Sequence, residues 1–347
     1  MLPDFLELAK LSDEDLGAHD IAAVNLACSV GLPGAEAIDV PGCLAKLDEW
    51  AEGIRRTTKR LLNTEYPQKA RLYNHSRPLY RAVKMVQALK AFCGVRYDPA
   101  KVNAGEDVPF DFHEHFIHGP IQGPGGTCFT FPILYAAVGR RLGYPIRLAY
   151  NRVHVFNRWD DPATGTRFNF DGTGPDVSSQ LDDHYRQWPE PLLPEIEEKA
   201  GFLRTQTPRG ELSMFVSRRA AHWMTVGNYR RAASAYVLAF ELCSHRPQVA
   251  ALQTLAQRWQ AKLHARRPPS FPNLRLEFDP SRPRWPKIPW DFEQDLRHLE
   301  MLENVLNDRE FERDWWAPLR AGQPLRTPMP NQLRLDCTGE SQRSIRP

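Results

Sequence analysis

Apolar residues recur at spacings of three and four through most of the first hundred positions. Residues 4–31 read as helical on this pattern. So do residues 44–63, where Leu44, Leu47, Trp50, Ala51 and Ile54 form one stripe. A second stripe, Leu79, Val83, Val86, Leu89 and Phe92, predicts a helix over 77–93 that closes at Gly94. From 95 to 127 the periodicity lapses into a loop-rich stretch with prolines, glycines and three histidines. Ile133, Leu134, Ala137, Val138 and Leu142 then mark one face of a further helix, stopped by Gly143 and Pro145.

Beyond that point the period shortens to two. Residues 146–150, 153–159 and 167–171 read as short strands, with DPATGT at 161–166 as a hairpin connection. Helices followed by a strand meander define an α+β arrangement. The chain turns helical again from about 210. In GNYRRAASAYVLAFEL, residues 227–242, Gly227, Tyr229, Ala232, Tyr236 and Ala239 resemble the second half of a tetratricopeptide repeat, with Ala220 and Trp223 in its first helix. One such unit cannot bury its own apolar face, so it docks on the rest of the chain or on a partner. Residues 247–263 read as a degenerate helix of a second unit. The last segment holds twelve of the chain's thirty prolines; 282–290 reads as extended and 291–313 as one more charged helix. The expected organisation is an N-terminal helical segment (1–68), a core (69–195), a tetratricopeptide-like helical region (205–265) and a proline-rich extension (266–347).

Composition excludes several classes of function. Of 347 residues, 42% are hydrophobic and 25% charged, and the net charge is +3. That charge is too small and too evenly spread to imply nucleic acid or an anionic membrane as partner. No stretch approaches about 20 uncharged apolar residues. The first residues, MLPDFLELAK, lack the basic start and apolar run of a signal peptide, so the expected location is the cytoplasm. The six cysteines form no C-x-x-C pair, which argues against a disulfide framework and a cysteine zinc site. Cys28 and Cys93, within helical patterns, read as buried structural thiols. HEHFIH, residues 113–118, fails the zinc-protease arrangement because Ile117 stands four residues after His113. Its histidines read as a polar loop beside the cleft. Asp160, Asp161, Asp182 and Asp183 lack calcium-loop spacing. Neither a metal nor a cofactor is expected.

The candidate chemistry lies at GPGGTCFTFPILY, residues 123–135. Pro132 must fall in the first turn of its helix, so the helix begins near 129 with Cys128 at its lip. Unpaired N–H groups there favour an anion at the sulfur. Gly125 and Gly126 let the backbone turn sharply and approach a substrate. A cysteine nucleophile needs a base and a group that orients the base. Alternation puts His154, Phe156 and Arg158 on one face of the second strand, making His154 the base. On the third strand Arg167, Asn169 and Asp171 share a face; Asp171 is the orienting acid and Asn169 the fallback.

A cysteine at a helix start, a strand with H-V-F and a strand ending in F-D-G resemble the transglutaminase-like superfamily, whose fold is related to that of papain. Over roughly 70–190 the order of Cys128, His154 and Asp171 on helix, strand and strand is that family's order. The flanking helices and tetratricopeptide-like tail are loosely similar to a group of bacterial transglutaminase-like proteins. The resemblance implies a papain-like core and a triad. It also suggests an oxyanion role for Gln122, six residues before Cys128, because papain-like proteases place a glutamine at that interval. The backbone at Cys128 and Gly126 completes the expected oxyanion and substrate site. Two features depart from the family: the short Cys128–His154 interval, and Phe156 where tryptophan is common. The expected activity is cysteine-dependent acyl transfer on amide bonds of a protein or peptide through a thioester, as a peptidase or amidase. The alternatives are amine transfer, as in a transglutaminase, and a catalytically silent scaffold whose helical tail recruits a protein partner.

Overall fold

A computed structural model describes residues 2–101, 111–151, 153–188, 191–226 and 228–243. The stretch expected to be helical at 4–31 is three short helices, α1 (Phe5–Leu8), α2 (Asp13–Gly17) and α3 (Ile21–Ala27). It is broken where Asp4, Ser12 and Asp20 turn their side chains back onto backbone N–H groups two or three residues on and cap each helix. α4 (Val40–Thr64) starts four residues earlier than the apolar stripe, with Pro41 in its first turn and Asp39 as its cap. α5 (Tyr66–Lys69) leads to α6 (Arg77–Phe92), capped by Ser76.

The buried face of α6 differs from the expected stripe. Ala82, Met85, Val86 and Leu89 point inward, whereas Phe92 is 84% exposed. Phe92 stands instead at the rim of a surface cavity that the last turn of α6 forms with Trp50, Gly53 and Ile54 of α4. α7 (His118–Gln122) is short; α8 (Thr130–Arg141) is the centre of the molecule. Every residue of α8 from Thr130 to Gly139 is buried, not one face of it. Helices α3, α4 and α6 cover one side and the sheet covers the other. The predicted stop is observed: Gly143 has φ +78°, and the Gly143 and Tyr144 N–H groups close back on the carbonyls of Arg140 and Gly139.

Three antiparallel strands follow in the order β1 (Ile146–Tyr150), β2 (Val155–Asp161) and β3 (Thr166–Phe170), so the fold is α+β. The register pairs Leu148 with Asn157 and Asn157 with Phe170. β2 begins two residues later than expected, leaving His154 at its mouth. Alternation holds on both faces. Val155 and Trp159 join the main core around α8, while Phe156 faces a smaller cluster with Tyr185, Phe202 and Leu203. Arg158 is fully buried on that second face, where its guanidinium is bonded to Asn169, Asp182 and the Leu203 carbonyl.

After α9 (Asp182–Gln187) and α10 (Pro194–Ala200) come α11 (Pro208–Thr225) and α12 (Tyr229–Leu242), which pack together along their length. This is the pair that the sequence led us to expect as tetratricopeptide-like, and it docks on the chain's own first helices. Arg209 donates to the Ala9 and Leu11 carbonyls, Arg219 to those of Cys28 and Val30, and His222 to that of Pro33. One hydrophobic cluster runs from Leu8 through α8 to Leu242. The further helices expected at 247–263 and 291–313, and the extended stretch at 282–290, lie outside the described residues.

Candidate active site

Cys128 is held at the lip of α8 by a reciprocal cap. The Thr127 hydroxyl accepts from the Phe129 N–H at 3.3 Å, and the Thr130 hydroxyl accepts from the Thr127 N–H at 2.8 Å. Both threonines are buried, so the cap is shielded from competing water. Gly125 and Gly126 do not adopt the left-handed conformation that a sharp glycine turn would use. They are small so that other chain can come close. A Cβ on Gly125 would lie 2.7 Å from the Asp98 Cα, and one on Gly126 would lie 2.6 Å from the Phe131 ring. Residues 96–98 run beside this turn and bridge it. The Gly126 N–H donates to the Arg96 carbonyl at 3.0 Å, and the Gly126 carbonyl accepts from the Asp98 N–H at 2.9 Å.

The structure brings together His154 and Asp171. His154 Nε2 and Asp171 Oδ2 are 2.5 Å apart. The other carboxylate oxygen of Asp171 accepts from the N–H and the hydroxyl of Thr173, each at 2.8 Å. The sheet register explains the meeting. Continuing the β2–β3 pairing one step past Asn157–Phe170 sets Asp171 opposite Phe156, two residues from His154 on the same face. Cys128 is near enough to act on the His154 imidazole and, with Asp171, works to raise its pKa. Since Nε2 is taken by Asp171, Nδ1 is the nitrogen left for the sulfur.

Burial works to lower the His154 pKa, but its bonds to Asp171 and Cys128 outweigh burial and raise it to about 9. For Asp171 burial works upward, and the His154 and Thr173 donors overcome it to hold the carboxyl below its ordinary range. Tyr97 stands next to the sulfur, and its hydroxyl oxygen faces the Cys128 backbone N–H. Burial, followed by the neighbouring Cys128, pushes the Tyr97 phenol upward.

Three expected site residues are engaged elsewhere. Gln122 is exposed at the end of α7, and its amide donates to the Asp39 carbonyl at 3.0 Å instead of reaching toward the sulfur. The Gly126 N–H is given to Arg96, so it is not a donor for an oxyanion. Asn169 does not orient His154. Its carbonyl oxygen accepts from Arg158 at 2.7 Å and its NH₂ donates to Asp182 and to the Gln180 carbonyl.

The histidines at 113–118 are not a polar loop. His115 and His118 are buried among Phe112, Phe116 and His222. Burial draws the His118 pKa down to about 4. His113 instead bonds Asp98 at 2.7 Å. Asp98, His113 and Glu114 offer donor atoms within 4.8 Å of one another, a grouping able to hold a metal ion. Lys101 already sits 3.0 Å from Glu114, and His113 bonds Asp98, so these side chains are joined in a network beside the 96–98 bridge.

Sequence reasoning missed Asn151. It is 3% exposed and its side chain makes four bonds. Oδ1 accepts from the N–H groups of Val153 and His154, and the NH₂ donates to the carbonyls of Tyr185 and Trp188. Tyr185 and Trp188 in turn pack face-to-face and edge-on against the His154 ring. An asparagine three residues before a strand-opening histidine is the signal of an Asx turn and could have been read. Tyr97 carried no comparable signal, since nothing local ties residue 97 to residue 128. Comparison with family models, curated proteins and solved structures found no match. Among the described residues no helix is long and apolar enough to cross a membrane.

Proposed function

We propose that Cys128, His154 and Asp171 form the catalytic triad of a cysteine-dependent acyl-transfer enzyme acting on amide bonds, with a transglutaminase-like, papain-related core. The observation that carries this reading is the 2.5 Å bond from Asp171 to His154 Nε2, which leaves the opposite nitrogen for the thiol. His154 takes the proton from Cys128, and the sulfur attacks the substrate carbonyl carbon. The carbonyl π electrons move to oxygen, and the resulting oxyanion is met by the Cys128 N–H. The Tyr97 hydroxyl, resting against that N–H, rotates to donate a second hydrogen bond. Protonated His154 gives its proton to the leaving amine as the C–N bond breaks and the thioester forms. Water, deprotonated by His154, then releases the acid and restores the thiol. Hydrolysis is preferred to amine transfer because water needs no second substrate pocket. The substrate class is a peptide or protein.

A thiol-directed probe tests the assignment. Cys128 should be labelled far faster than Cys93 and Cys243, which are also half-buried, and His154→Ala should erase the difference. Equal, slow labelling of all three would sink the enzyme reading and favour a scaffold that keeps the geometry without turnover.

A further inference from the structure

We propose that Asp98, His113 and Glu114 bind a divalent cation of the zinc class beside the turn that carries Cys128. The proposal does not depend on Cys128 being a nucleophile. Each of the three residues offers one donor atom, and the three atoms lie within 4.8 Å of one another. The Asp98 and Glu114 side chains are 3% and 0% exposed, whereas that of His113 is 26% exposed. The His113 edge is therefore the side from which an ion and its water enter.

Glu114 supplies a second, independent observation. Its Oε2 accepts from the Asp111 N–H at 2.6 Å and lies 3.0 Å from the Lys101 ammonium. Its Oε1 is buried and has no hydrogen-bond partner among the described residues. A carboxylate oxygen taken out of water without a donor is costly, and a cation removes that cost. Oε1 is thus left for the ion while Lys101 keeps Oε2. Charge points the same way. The ion pairs of this group set three carboxylates, Asp98, Asp111 and Glu114, against the Lys101 ammonium and the His113 ring. A divalent ion beside a neutral imidazole brings the group to balance.

The donor set selects the ion. One imidazole and two carboxylates suit Zn²⁺ better than Ca²⁺, which takes oxygen ligands. Ligands bonded at about 2.0–2.2 Å to a tetrahedral zinc ion stand about 3.3 Å apart. His113 Nε2 and Asp98 Oδ2, now 2.7 Å apart, open slightly to admit it, and Glu114 closes on it by turning its side chain. The proton between His113 and Asp98 leaves that bond: a neutral ring shifts it to Nδ1, and a charged ring releases it to solvent. Water takes the fourth position. The ion then joins the turn at Phe112–Glu114 to the 96–98 bridge, whose Asp98 N–H holds the Gly126 carbonyl two residues before Cys128.

Zinc titration of the full chain tests this. Cys128→Ala is the starting protein, so that the thiol and His154 cannot compete for the ion. Freed of metal by a chelator and titrated with Zn²⁺ in a calorimeter, it should bind one equivalent that excess Ca²⁺ does not displace. Adding His113→Ala should weaken that binding by about a hundredfold or more, since even the partners behind a metal ligand are worth about 10- to 100-fold. Glu114→Gln, which keeps the shape of the side chain, should weaken it likewise. If neither variant folds, the starting protein decides alone. A zinc-bound ring holds its remaining proton on Nδ1 and has no free lone pair. Zn²⁺ should therefore block diethyl pyrocarbonate at His113, mapped by peptide mass, and leave the exposed His19 and His75 reactive. Three results overturn the proposal: no Zn²⁺ bound, binding that a folded His113→Ala chain retains unchanged, or His113 modified as fast with Zn²⁺ as without it.

Discussion

Three side chains of the site, His154, Asp171 and Tyr97, each support a separate claim that can be tested. Asp171 and Cys128 raise the His154 pKa to about 9 against an ordinary value of 6.5. A raised pKa means that the folded state binds the proton more tightly than the unfolded chain does. The stabilisation is therefore complete below pH 6.5 and is lost as the pH rises through 9, by no more than about 3 kcal/mol. Urea unfolding across that window should show falling stability in wild type and a flatter profile in His154→Gln. Asp171 has the opposite sign: its lowered pKa contributes above the ordinary carboxylate range and is lost as the pH falls through its folded value. Tyr97→Phe removes only the hydroxyl that faces the Cys128 N–H. It should slow turnover by about tenfold to a hundredfold, the cost of one oxyanion donor or somewhat less, while leaving the unfolding midpoint nearly unchanged. An unaltered rate would remove Tyr97 from the oxyanion site.

At the scale of elements, the site is a set of joints between helix, strand and loop. Asn157 of β2 donates to the Pro132 carbonyl in the first turn of α8, and Tyr135 of α8 donates to the Gly172 carbonyl just past Asp171. These two bonds fasten the element that carries the sulfur to the two that carry the base and the acid. Asn151 is the third joint, binding the mouth of β2 to the Tyr185–Trp188 segment. Asn151→Ala leaves two N–H groups and two carbonyls without their partner. It should cost about 2 kcal/mol or more by urea unfolding and loosen the aromatic wall around His154. A change below the error of the measurement would show that water replaces the side chain freely.

Across the whole molecule, the main finding is continuity. The helical pair α11–α12 shares one hydrophobic cluster with the N-terminal helices and α8. Phe215, on α11, is fully buried in it. Phe215→Ala should therefore destabilise the entire described fold by about 3–5 kcal/mol. Thermal unfolding followed by far-UV dichroism and by Cys128 labelling should give one coincident transition at a lower temperature. Two separate transitions, with the cleft surviving loss of the helical pair, would show that the segments are independent.

Local physics was legible along much of the chain. The stripe on α4, the glycine stop after α8 and the alternation that sets Phe156 opposite in facing to Val155 all follow from neighbours within a few residues. So does Cys128 at the lip of a helix, because Pro132 tolerates only the first turn. What the chain did not disclose depends on residues far apart. Phe92 continues an apolar stripe, yet it is exposed at the rim of an open cavity between α4 and α6. Gln122 and the Gly126 N–H look like oxyanion donors until Asp39 and Arg96, brought in by other elements, take them. Tyr97 has no signature at all, since a phenol comes beside the Cys128 turn only when the 96–98 bridge delivers it there. Periodicity and turn chemistry act over one or two turns of chain and can be read from order alone. Which donor is spent and which charge faces the thiol depends on packing between segments, and that is settled only when the core closes around α8.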